Sequence, residues 1–419
     1  MRPLRVLLVG VGTVGEAIAV VAHGRPWIET LVLADYDVER ATRVQARLGG
    51  TESSGDAAAR FPVERIDARD QGQVVALARK HRVDLVMNAA DPRFIPPIFD
   101  GAFEAGAGYI DMATSLSEPH PTDPFNQVGV PLADYQFRQH EQWRAAGRLA
   151  ILGTGMDPGL TDVFARYAAD HLFDEVDEVH VRDGGDLEIR GYPFAPVFSI
   201  WTTIEECLNP PIIWERGRGL YTTEPFSAPE PFVFPEGIGP VECVNVEHEE
   251  VMLVPRHIDC RRVTFKYALG TDFIAILKTL HRLGLDSTRP IEVKGVEVAP
   301  RDVVAALTPD PATVGDRMFG RAIVGTWVLG RKDGQPREVY LYQKTVGEDC
   351  WRDLGLQAVG WQTGFNPVIA MEMLASGAWS SAGVLGPEAF PADAYLQAMT
   401  SHGIHWAMEE REPGANRPT

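Results

Sequence analysis

A glycine-rich segment near the N-terminus, Gly10-Val-Gly-Thr-Val-Gly15, constrains the fold of this chain more than any other feature. It follows an apolar run, Arg5–Val9, that predicts a strand, and it precedes Glu16–His23, whose spacing predicts a helix. In such a unit the first glycine permits a tight turn, the second lets the backbone approach a pyrophosphate, and the third allows close packing of helix on strand. The helix N-terminus offers hydrogen-bond donors to the phosphates. The predicted cradle consists of Gly10, Gly12, Thr13, Val14 and Gly15.

An acidic residue, Asp35, follows the second apolar run, Leu31–Ala34, twenty residues after Gly15. A carboxylate at this position accepts hydrogen bonds from the adenosine ribose hydroxyls and repels a 2′-phosphate. Strand, glycines, helix and spaced acid together predict a dinucleotide site that prefers NAD, with NADP as the alternative cofactor. The competing interpretation is a tight structural turn followed by an Asp on a surface loop. Further predicted cofactor contacts are Asp67, Asn88 and Ala89. For each of them the alternative is an ordinary loop position without a role in cofactor binding.

The pattern of apolar runs divides the chain into two parts. As far as about residue 150, short apolar runs alternate with helical stretches, which predicts an α/β region with a parallel sheet wound by helices. Beyond Gly153, β-branched and aromatic runs follow one another with few helices between them, which predicts a second domain with an open, largely antiparallel sheet. After Cys350 the spacing is helical again, and the polar residues 409–419 predict a flexible tail.

Capping residues predict where two later helices begin. Asp157 is expected as the N-cap of one helix, with Pro158 in its first turn, after the glycine-rich segment Gly153–Gly159. Asn366 and Gly377 are expected as the N-cap and C-cap of another. The glycine-rich segment Gly153–Gly159 either faces the cofactor or forms an interdomain hinge. The cofactor contacts predicted there are Met156, Asp157 and Pro158.

The composition excludes several function classes. The 419 residues are 45% hydrophobic and carry a formal net charge of −19, which argues against nucleic acid and anionic membranes as partners. Four cysteines without a CxxC pair indicate neither a disulfide framework nor a zinc site, so we expect a cytoplasmic protein. No second His at ligand spacing accompanies the cluster Glu247–Glu250, and we predict no metal.

Candidates for proton transfer and for substrate binding are scattered in the second half of the chain. Hydride transfer at a C–N bond needs one group that moves a proton near nitrogen and one that fixes a carboxylate. The predicted catalytic groups are Asp183, His248 and Lys266, with Asp111 as a further candidate. Arg182 and Arg190 are predicted to bind a substrate carboxylate. For each of them a structural or solvated role is the alternative.

Several motifs together resemble those of the saccharopine dehydrogenase-like family, and in particular its carboxynorspermidine dehydrogenase branch. Besides the first glycine segment, the resemblance rests on Gly155-Met-Asp-Pro-Gly159, Gly191-Tyr-Pro-Phe194, Leu307-Thr-Pro-Asp-Pro311 and Thr363-Gly-Phe-Asn-Pro367. It implies a Rossmann domain over residues 1–153, an inserted α+β substrate and dimerisation domain over 154–349, and a helical return over 350–408 that packs on the Rossmann domain. It also implies hydride transfer at an imine or secondary amine of an amino-acid-derived substrate, by a homodimer.

Two departures from the branch keep alternatives open. Asp35-Tyr-Asp37 ends the second strand where carboxynorspermidine enzymes typically have a small polar and a basic residue. The segments 182–190 and 200–209 also differ from the substrate loops of that branch. The alternatives are an oxidative NAD-dependent amine dehydrogenase such as lysine 6-dehydrogenase, and a nucleotide-binding sensor without catalytic activity.

Overall fold

The computed structural model describes residues 1–49 and 58–414 and contains two large sheets. In the first sheet all seven strands are parallel, in the order β19-β6-β5-β4-β1-β2-β3. Its strands are β1 Leu4–Val9, β2 Ile28–Asp35, β3 Val63–Arg65, β4 Leu85–Asn88, β5 Gly108–Asp111, β6 Leu149–Ile151 and β19 Gly383–Leu385. The interior strand β1 is apolar on both faces apart from Arg5, because helices cover both sides of the sheet. The predicted doubly wound α/β fold is therefore confirmed.

Helices connect and cover this sheet. Those of the N-terminal part are α1 Thr13–His23, α2 Val38–Gly49, α3 Gln71–His81, α4 Ile95–Ala105, α5 Asp134–Phe137 and α6 His140–Ala145. A helix from the C-terminal part, α13 Ala358–Ser376, packs directly on α1. Two glycines make this approach close: a Cβ at Gly360 would lie 2.4 Å from the Thr13 side chain, and one at Gly364 would lie 2.7 Å from Ala17.

The second sheet has nine strands and is largely antiparallel, as predicted. Its main path is β10-β9-β13-β7-β17-β18-β20, in which the β7–β13 pair is parallel, and the hairpin β11–β12 joins it through β13. The strands are β7 Glu175–Gly185, β9 Ile212–Glu215, β10 Gly219–Thr222, β11 Glu230–Phe234, β12 Gly239–Asn245, β13 Arg262–Tyr267, β17 Arg321–Lys332, β18 Gln335–Val346 and β20 Trp406–Arg411. Two small pairs lie outside it, β8 Glu188–Ile189 with β16 Met318–Phe319, and β14 Ile291–Val293 with β15 Val296–Val298.

The remaining helices surround the second sheet or return to the first. They are α7 Leu160–Tyr167, α8 Ile200–Leu208, α9 Glu250–Leu253, α10 Thr271–Arg282, α11 Pro300–Leu307, α12 Gly347–Leu354 and α14 Asp393–Ser401. In the described part of the chain, no helix combines the length and apolarity needed to span a membrane.

The C-terminal part differs from the predicted helices and flexible tail. It contains β19, which extends the first sheet beside β6, and β20, which pairs with β18 in the second sheet. Residues 409–411 therefore belong to a strand, since the β18 edge supplies partners for their backbone groups. Residues 415–419 of the predicted tail lie outside the described residues.

Both predicted helix starts are wrong. Helix α7 begins at Leu160 rather than after Asp157, because Gly159 (φ +140°) closes a turn on Gly155 and donates its N–H to Asp162 Oδ2 at 2.8 Å. Helix α13 begins at Ala358, with Pro367 inside it. Within that helix the Asn366 side chain donates to the Gln362 carbonyl at 2.8 Å instead of capping. The predicted end of α13 at Gly377 (φ +78°) is correct.

Candidate active site

A cleft of about 1140 Å³ lies between the carboxyl edge of the parallel sheet and the second domain. Strands β1, β2, β4 and β5 each contribute a residue at their carboxyl end, which is where ligands bind in open parallel sheets. These residues are Val9, Asp35, Asn88 and Asp111. The opposite wall comes from β7, β13, α8 and the segment that follows α11.

The glycine segment predicted as the cradle forms a tight turn between β1 and α1. Gly10 has φ +93°, and a Cβ there would lie 2.7 Å from the Ala89 carbonyl oxygen, so only glycine fits. A Cβ at Gly15 would lie 2.1 Å from the Gly10 carbonyl oxygen, which is the close helix–strand packing expected of the third glycine. The cleft is lined by Gly12, Thr13, Val14 and Ala89, whereas Gly15 lies behind the turn.

A bound dinucleotide fits this cradle. Apart from chain neighbours, the one atom of the described residues found within 4 Å of a Cβ built on Gly12 is Arg40 Nη1, at 3.9 Å, so this side of the turn is open toward the cleft. The first turn of the 11-residue helix α1 points its N–H groups into the same space. Backbone donors and open space together are what a pyrophosphate requires.

Asp35 lies at the end of β2 with its carboxylate turned back to the cradle. Its Oδ2 accepts the Val11 N–H at 2.7 Å and its Oδ1 accepts the Asp37 N–H at 2.8 Å. Each carboxylate oxygen has a second lone pair, which remains for the hydroxyls of a ribose. Asp35 lines the cleft, although its side chain is largely buried.

Two arginines flank the adenosine end of the cleft, and each has a carboxylate partner. Arg69 binds Asp67, with Nη2 2.7 Å from Oδ2, and this contact lowers the pKa of Asp67 to about 2. Arg40 lies 3.9 Å from Asp310, which follows α11. Asn88 also lines the cleft, but its side chain is bonded to the Tyr109 hydroxyl and the Ala90 N–H.

The other end of the cleft is lined by acids around one histidine. Asp183 on β7 and Tyr267 on β13 stand opposite each other in the parallel register, so both face the cleft. Asp157, Glu206 and His248 line the same end. Burial raises the pKa of Asp183 to about 7, although the His248 charge and hydrogen bonds from Asp157 and Tyr267 oppose it. Burial likewise raises the pKa of Glu206 to about 8.

His248 is held by a carboxylate behind it. Its Nδ1 lies 2.6 Å from Glu250 Oε2, and its ring stacks on Phe265 with centroids 3.7 Å apart. Burial alone would lower the pKa of His248, but Glu250, Glu249 and Asp157 raise it well above its usual value. The ring is therefore oriented by Glu250, and the surrounding acids favour its cationic form, which is the arrangement of a positioned proton donor.

Asp111, the further candidate, lines the floor of the cleft and has both carboxylate oxygens in hydrogen bonds. Its Oδ1 accepts the Gly153 N–H at 2.7 Å and its Oδ2 accepts the Gln136 side-chain N–H at 2.8 Å. Burial raises the pKa of Asp111 to about 7, with those two hydrogen bonds opposing the shift. Asp111 thus fixes the segment that links the two domains at the floor of the cleft.

Besides Gly15, five of the predicted site residues do not line the cleft. Successive strand residues point to opposite faces, so Arg182 turns away where Asp183 turns toward the cleft. Lys266, paired with Arg182 in register, turns away with it, and both cations bind Glu230 at 2.7 Å. Arg190 is exposed and binds Glu188, while Met156 and Pro158 are buried beneath the turn.

Sequence reasoning missed several residues of this site. Glu206 lies on α8 in the segment 200–209, which was noted only for its difference from related substrate loops, and Glu250 was considered only as a metal ligand. The alternation along β13 could have selected Tyr267 instead of Lys266. Among the residues that the structure describes, no group of three His, Cys, Asp or Glu side chains is arranged to hold a metal ion.

Comparison with known proteins agrees with this geometry. The family model "Saccharopine dehydrogenase NADP binding domain" matches residues 6–151, and "Saccharopine dehydrogenase C-terminal domain" matches residues 155–404. The apo saccharopine dehydrogenase (L-Glu forming) of Saccharomyces cerevisiae has a similar structure, with a TM-score of 0.67 at 14% identity, covering 98% of this chain and 100% of that one.

Curated relatives cover the chain almost completely. The carboxynorspermidine synthase of Vibrio alginolyticus is 30% identical over 98% of both chains. The carboxyaminopropylagmatine dehydrogenase of Synechocystis sp. is 27% identical over 96% of both. The resemblance found in the sequence motifs is thereby confirmed. The chain belongs to the saccharopine dehydrogenase family of nicotinamide-dinucleotide-dependent oxidoreductases.

Proposed function

We propose that this protein transfers hydride between NAD(H) and the carbon of a C–N bond, reducing the imine formed between an amino-acid semialdehyde and a cationic amine. The observation that carries the proposal is one cleft with a dinucleotide cradle at one end and His248 among Asp157, Asp183 and Glu206 at the other. The relatives named above, one for carboxynorspermidine and one for carboxyaminopropylagmatine, support an amine of this kind.

The charges at the substrate end favour a cationic amine. The two arginines among the described residues that line the cleft, Arg40 and Arg69, both lie at the adenosine end. The substrate end instead gathers three carboxyl groups, from Asp157, Asp183 and Glu206. An ammonium or guanidinium group entering this end would add positive charge beside His248 and stabilise the ionised forms of these three carboxyl groups.

His248 is the proposed proton donor. When bound, the nicotinamide supplies two electrons as hydride to the imine carbon. As the C=N π bond breaks, its electron pair moves to nitrogen, and His248 delivers a proton there through Nε2, since Nδ1 is engaged by Glu250. In the reverse direction the same ring accepts the proton. Asp183, with a pKa near neutrality, is the alternative donor on the same wall.

NAD is the proposed cofactor. Asp35 offers its remaining lone pairs to a ribose and repels a 2′-phosphate. The arginines that could bind such a phosphate are engaged by Asp67 and Asp310. NADP stays the alternative, because the Arg40 contact at 3.9 Å is weak.

We also propose that the protein works as a cytoplasmic homodimer. All four cysteines are free thiols, which fits a reducing compartment. The hairpin β14–β15 has one aliphatic face, in which Ile291 is 52%, Val293 49% and Val296 61% exposed. A partner chain would cover such a face. Light scattering on the purified protein tests the dimer.

The function is tested by binding and turnover together. Tryptophan fluorescence should report tighter binding of NADH than of NADPH. NADH oxidation should then require aspartate semialdehyde together with an amine, offered as 1,3-diaminopropane or agmatine, and NAD⁺ reduction with lysine or saccharopine tests the oxidative direction. Loss of turnover in His248→Asn with retained NADH binding supports the scheme. Dinucleotide binding without turnover on any of these compounds contradicts it and favours a sensor.

A further inference from the structure

Among the described residues, no arginine or lysine lines the substrate end of the cleft. The proposed substrate contains an amino-acid part, whose carboxylate needs hydrogen-bond donors when it leaves water. The two arginines that line the cleft, Arg40 and Arg69, lie at the adenosine end, and the predicted partners Arg182 and Arg190 lie outside the cleft. A partner for the carboxylate is therefore expected at the border of the substrate end.

Arg93 stands at this border, where the two domains meet. It lies in the short helix Pro92–Phe94 that follows β4, and its Cζ is 3.6 Å from the ring centroid of Trp201, which belongs to α8 of the second domain. Its other contact is Asp91, and both Asp91 and Trp201 line the cleft. The Arg93 side chain is 38% exposed. Its guanidinium therefore touches two side chains of the cleft wall and is accessible to a small solute.

The carboxylate of Asp91 occupies one edge of this guanidinium. Nε donates to Asp91 Oδ1 at 2.8 Å, and Nη2 donates to Oδ2 at 3.1 Å. Arginine has five N–H donors, and a bidentate carboxylate uses two of them. The edge formed by Nη1 and Nη2 is not used by Asp91 and can bind a second carboxylate in the same way. Because the guanidinium also stacks on Trp201, the direction of that edge is fixed.

Trp201 is itself held within the second domain. Its Nε1 donates to Asp302 Oδ1 at 3.1 Å, and Cζ of Arg301 lies 4.6 Å from its ring centroid. Arg301 is buried and binds Glu205 on α8, the helix that carries Trp201. The indole is thus a fixed surface that Arg93 meets from the first domain, and the complete arrangement needs both domains.

We propose that Arg93, held by Asp91 and Trp201, binds the carboxylate of the amino-acid part of the substrate. This inference deepens the proposed function and rests on it. Trp201 and Glu206 are five residues apart on α8, which corresponds to about 7.5 Å along the helix axis. The carboxylate of the substrate therefore faces Arg93, while its ammonium groups face the carboxyl groups around Glu206. Arg93 thereby selects an aldehyde that carries a carboxylate over one that does not.

Two aldehydes that differ only in the carboxylate test this selection. Aspartate semialdehyde and 3-aminopropanal are each offered with 1,3-diaminopropane and NADH. Arg93→Gln should raise KM for aspartate semialdehyde about tenfold or more and leave KM for 3-aminopropanal unchanged. The matched control is Arg190→Gln, since Arg190 also binds a carboxylate two positions earlier, Glu188, and stacks on Phe319 at 4.1 Å, but lies outside the cleft. An equal change of KM for both aldehydes in Arg93→Gln, or no change for either, overturns the proposal.

Calorimetric titration provides a second readout that needs no turnover. Carboxynorspermidine and bis(3-aminopropyl)amine are the same triamine with and without the carboxylate, and the wild-type protein should bind the first about tenfold more tightly or better. Arg93→Gln should abolish this preference. Arg93→Lys, which covers the case in which Arg93→Gln does not fold, should weaken it because lysine lacks the planar fork.

The titration separates this inference from the proposed function. No preference in the wild type, or the full preference in either variant, overturns the role of Arg93. Turnover by the wild type without an Arg93-dependent preference leaves the proposed function standing. An Arg93-dependent preference without turnover supports the carboxylate site and contradicts the proposed reaction alone.

Discussion

Nδ1 of His248 lies 2.6 Å from Oε2 of Glu250, and both side chains are buried. The carboxylate orients the imidazole and stabilises its cationic form, as in catalytic dyads in which an acid positions a histidine. We expect Glu250→Gln to keep the ring in place but to lower the pKa of His248. The protonated imidazole, which donates the proton, will then be lost at a lower pH than in the wild type.

The pH dependence of kcat/KM measures this effect. In Glu250→Gln the limb at which activity falls with rising pH should move to lower pH. His248→Asn should lose about 10²- to 10⁴-fold in kcat at all pH values, the range for a general acid. A wild-type pH profile in Glu250→Gln would contradict a positioning role for this carboxylate. Dinucleotide affinity, measured alongside, should not change in either variant.

Substitutions of Gly12 and Gly15 should have different effects, the first on cofactor binding and the second on the stability of the fold. A methyl group at Gly12 meets open space and intrudes where the pyrophosphate would bind, so Gly12→Ala should weaken NADH binding at least tenfold. The stability of the free protein should change by less than about 0.5 kcal/mol. In Gly15→Ala the methyl would lie 2.1 Å from the Gly10 carbonyl oxygen and should cost about 1–3 kcal/mol of stability. Urea unfolding and fluorescence titration of both variants provide the comparison, which fails if the two behave alike.

Asp35→Ser should reverse the cofactor preference in part. The substitution removes the charge that repels a 2′-phosphate and two acceptor contacts to the backbone N–H groups of Val11 and Asp37. We expect NADH affinity to fall about tenfold and NADPH affinity to rise. Arg190→Ala, at an exposed position outside the cleft, serves as the control. Equal losses of NADH affinity and NADPH affinity would show that Asp35 affects binding only through the shape of the turn.

Glu247 should make the stability of the protein depend on pH. Burial raises its pKa from 4.5 to about 8, although Ser117 and Asn209 bind the carboxyl. Because the folded-state pKa lies above the unfolded value, the folded state holds the proton more tightly. The contribution of Glu247 to stability is therefore present below about pH 4.5 and is lost as pH rises toward about 8. Glu247→Gln should flatten the fall of the unfolding free energy across this window, and an unchanged slope would contradict the assignment.

Glu230 should be required for folding rather than for catalysis. Arg182 and Lys266 are both fully buried, and Glu230 is the carboxylate that contacts them. Glu230→Gln leaves two buried cations without that carboxylate, and we expect a loss of about 3–5 kcal/mol of unfolding free energy. Cofactor affinity of the folded fraction should be normal. A stable variant with altered substrate KM would return Arg182 to the substrate site.

The local patterns predict the dinucleotide half of the candidate site, and the structure brings most of those residues to one cleft. Spacing alone located Gly10, Gly12 and Asp35, because the strand–turn–helix unit that holds them is continuous in sequence. The substrate half depends on which face of each strand meets the cleft, and this is decided by sheet pairing. Arg182 and Lys266 were chosen for their chemistry, but the alternation along β7 and β13 brings Asp183 and Tyr267 to the cleft instead.

Helix starts were predicted from capping residues that the tertiary structure uses differently. Asp is a residue type that often serves as an N-cap, and Asp157 precedes a proline as expected for a helix start. The turn closed by Gly155 and Gly159 lies between, however, and the helix begins at Leu160. Asn366 precedes a proline, but packing of α13 on α1 extends the helix upstream and outweighs the proline preference. Such reversals are expected where burial dominates local propensity.

The return of the chain to its first sheet affects how the N-terminal part folds during translation. Strand β19 and helix α13 are synthesised only after the second domain has left the ribosome, yet they complete the edge and one helical layer of the N-terminal sheet. Until then β6 is an open edge, and α1 lacks its cover. During synthesis the N-terminal part therefore exposes the β6 edge and the face of α1 that α13 later covers. A ribosome-stalled chain ending before residue 358 should expose α1 to proteolysis.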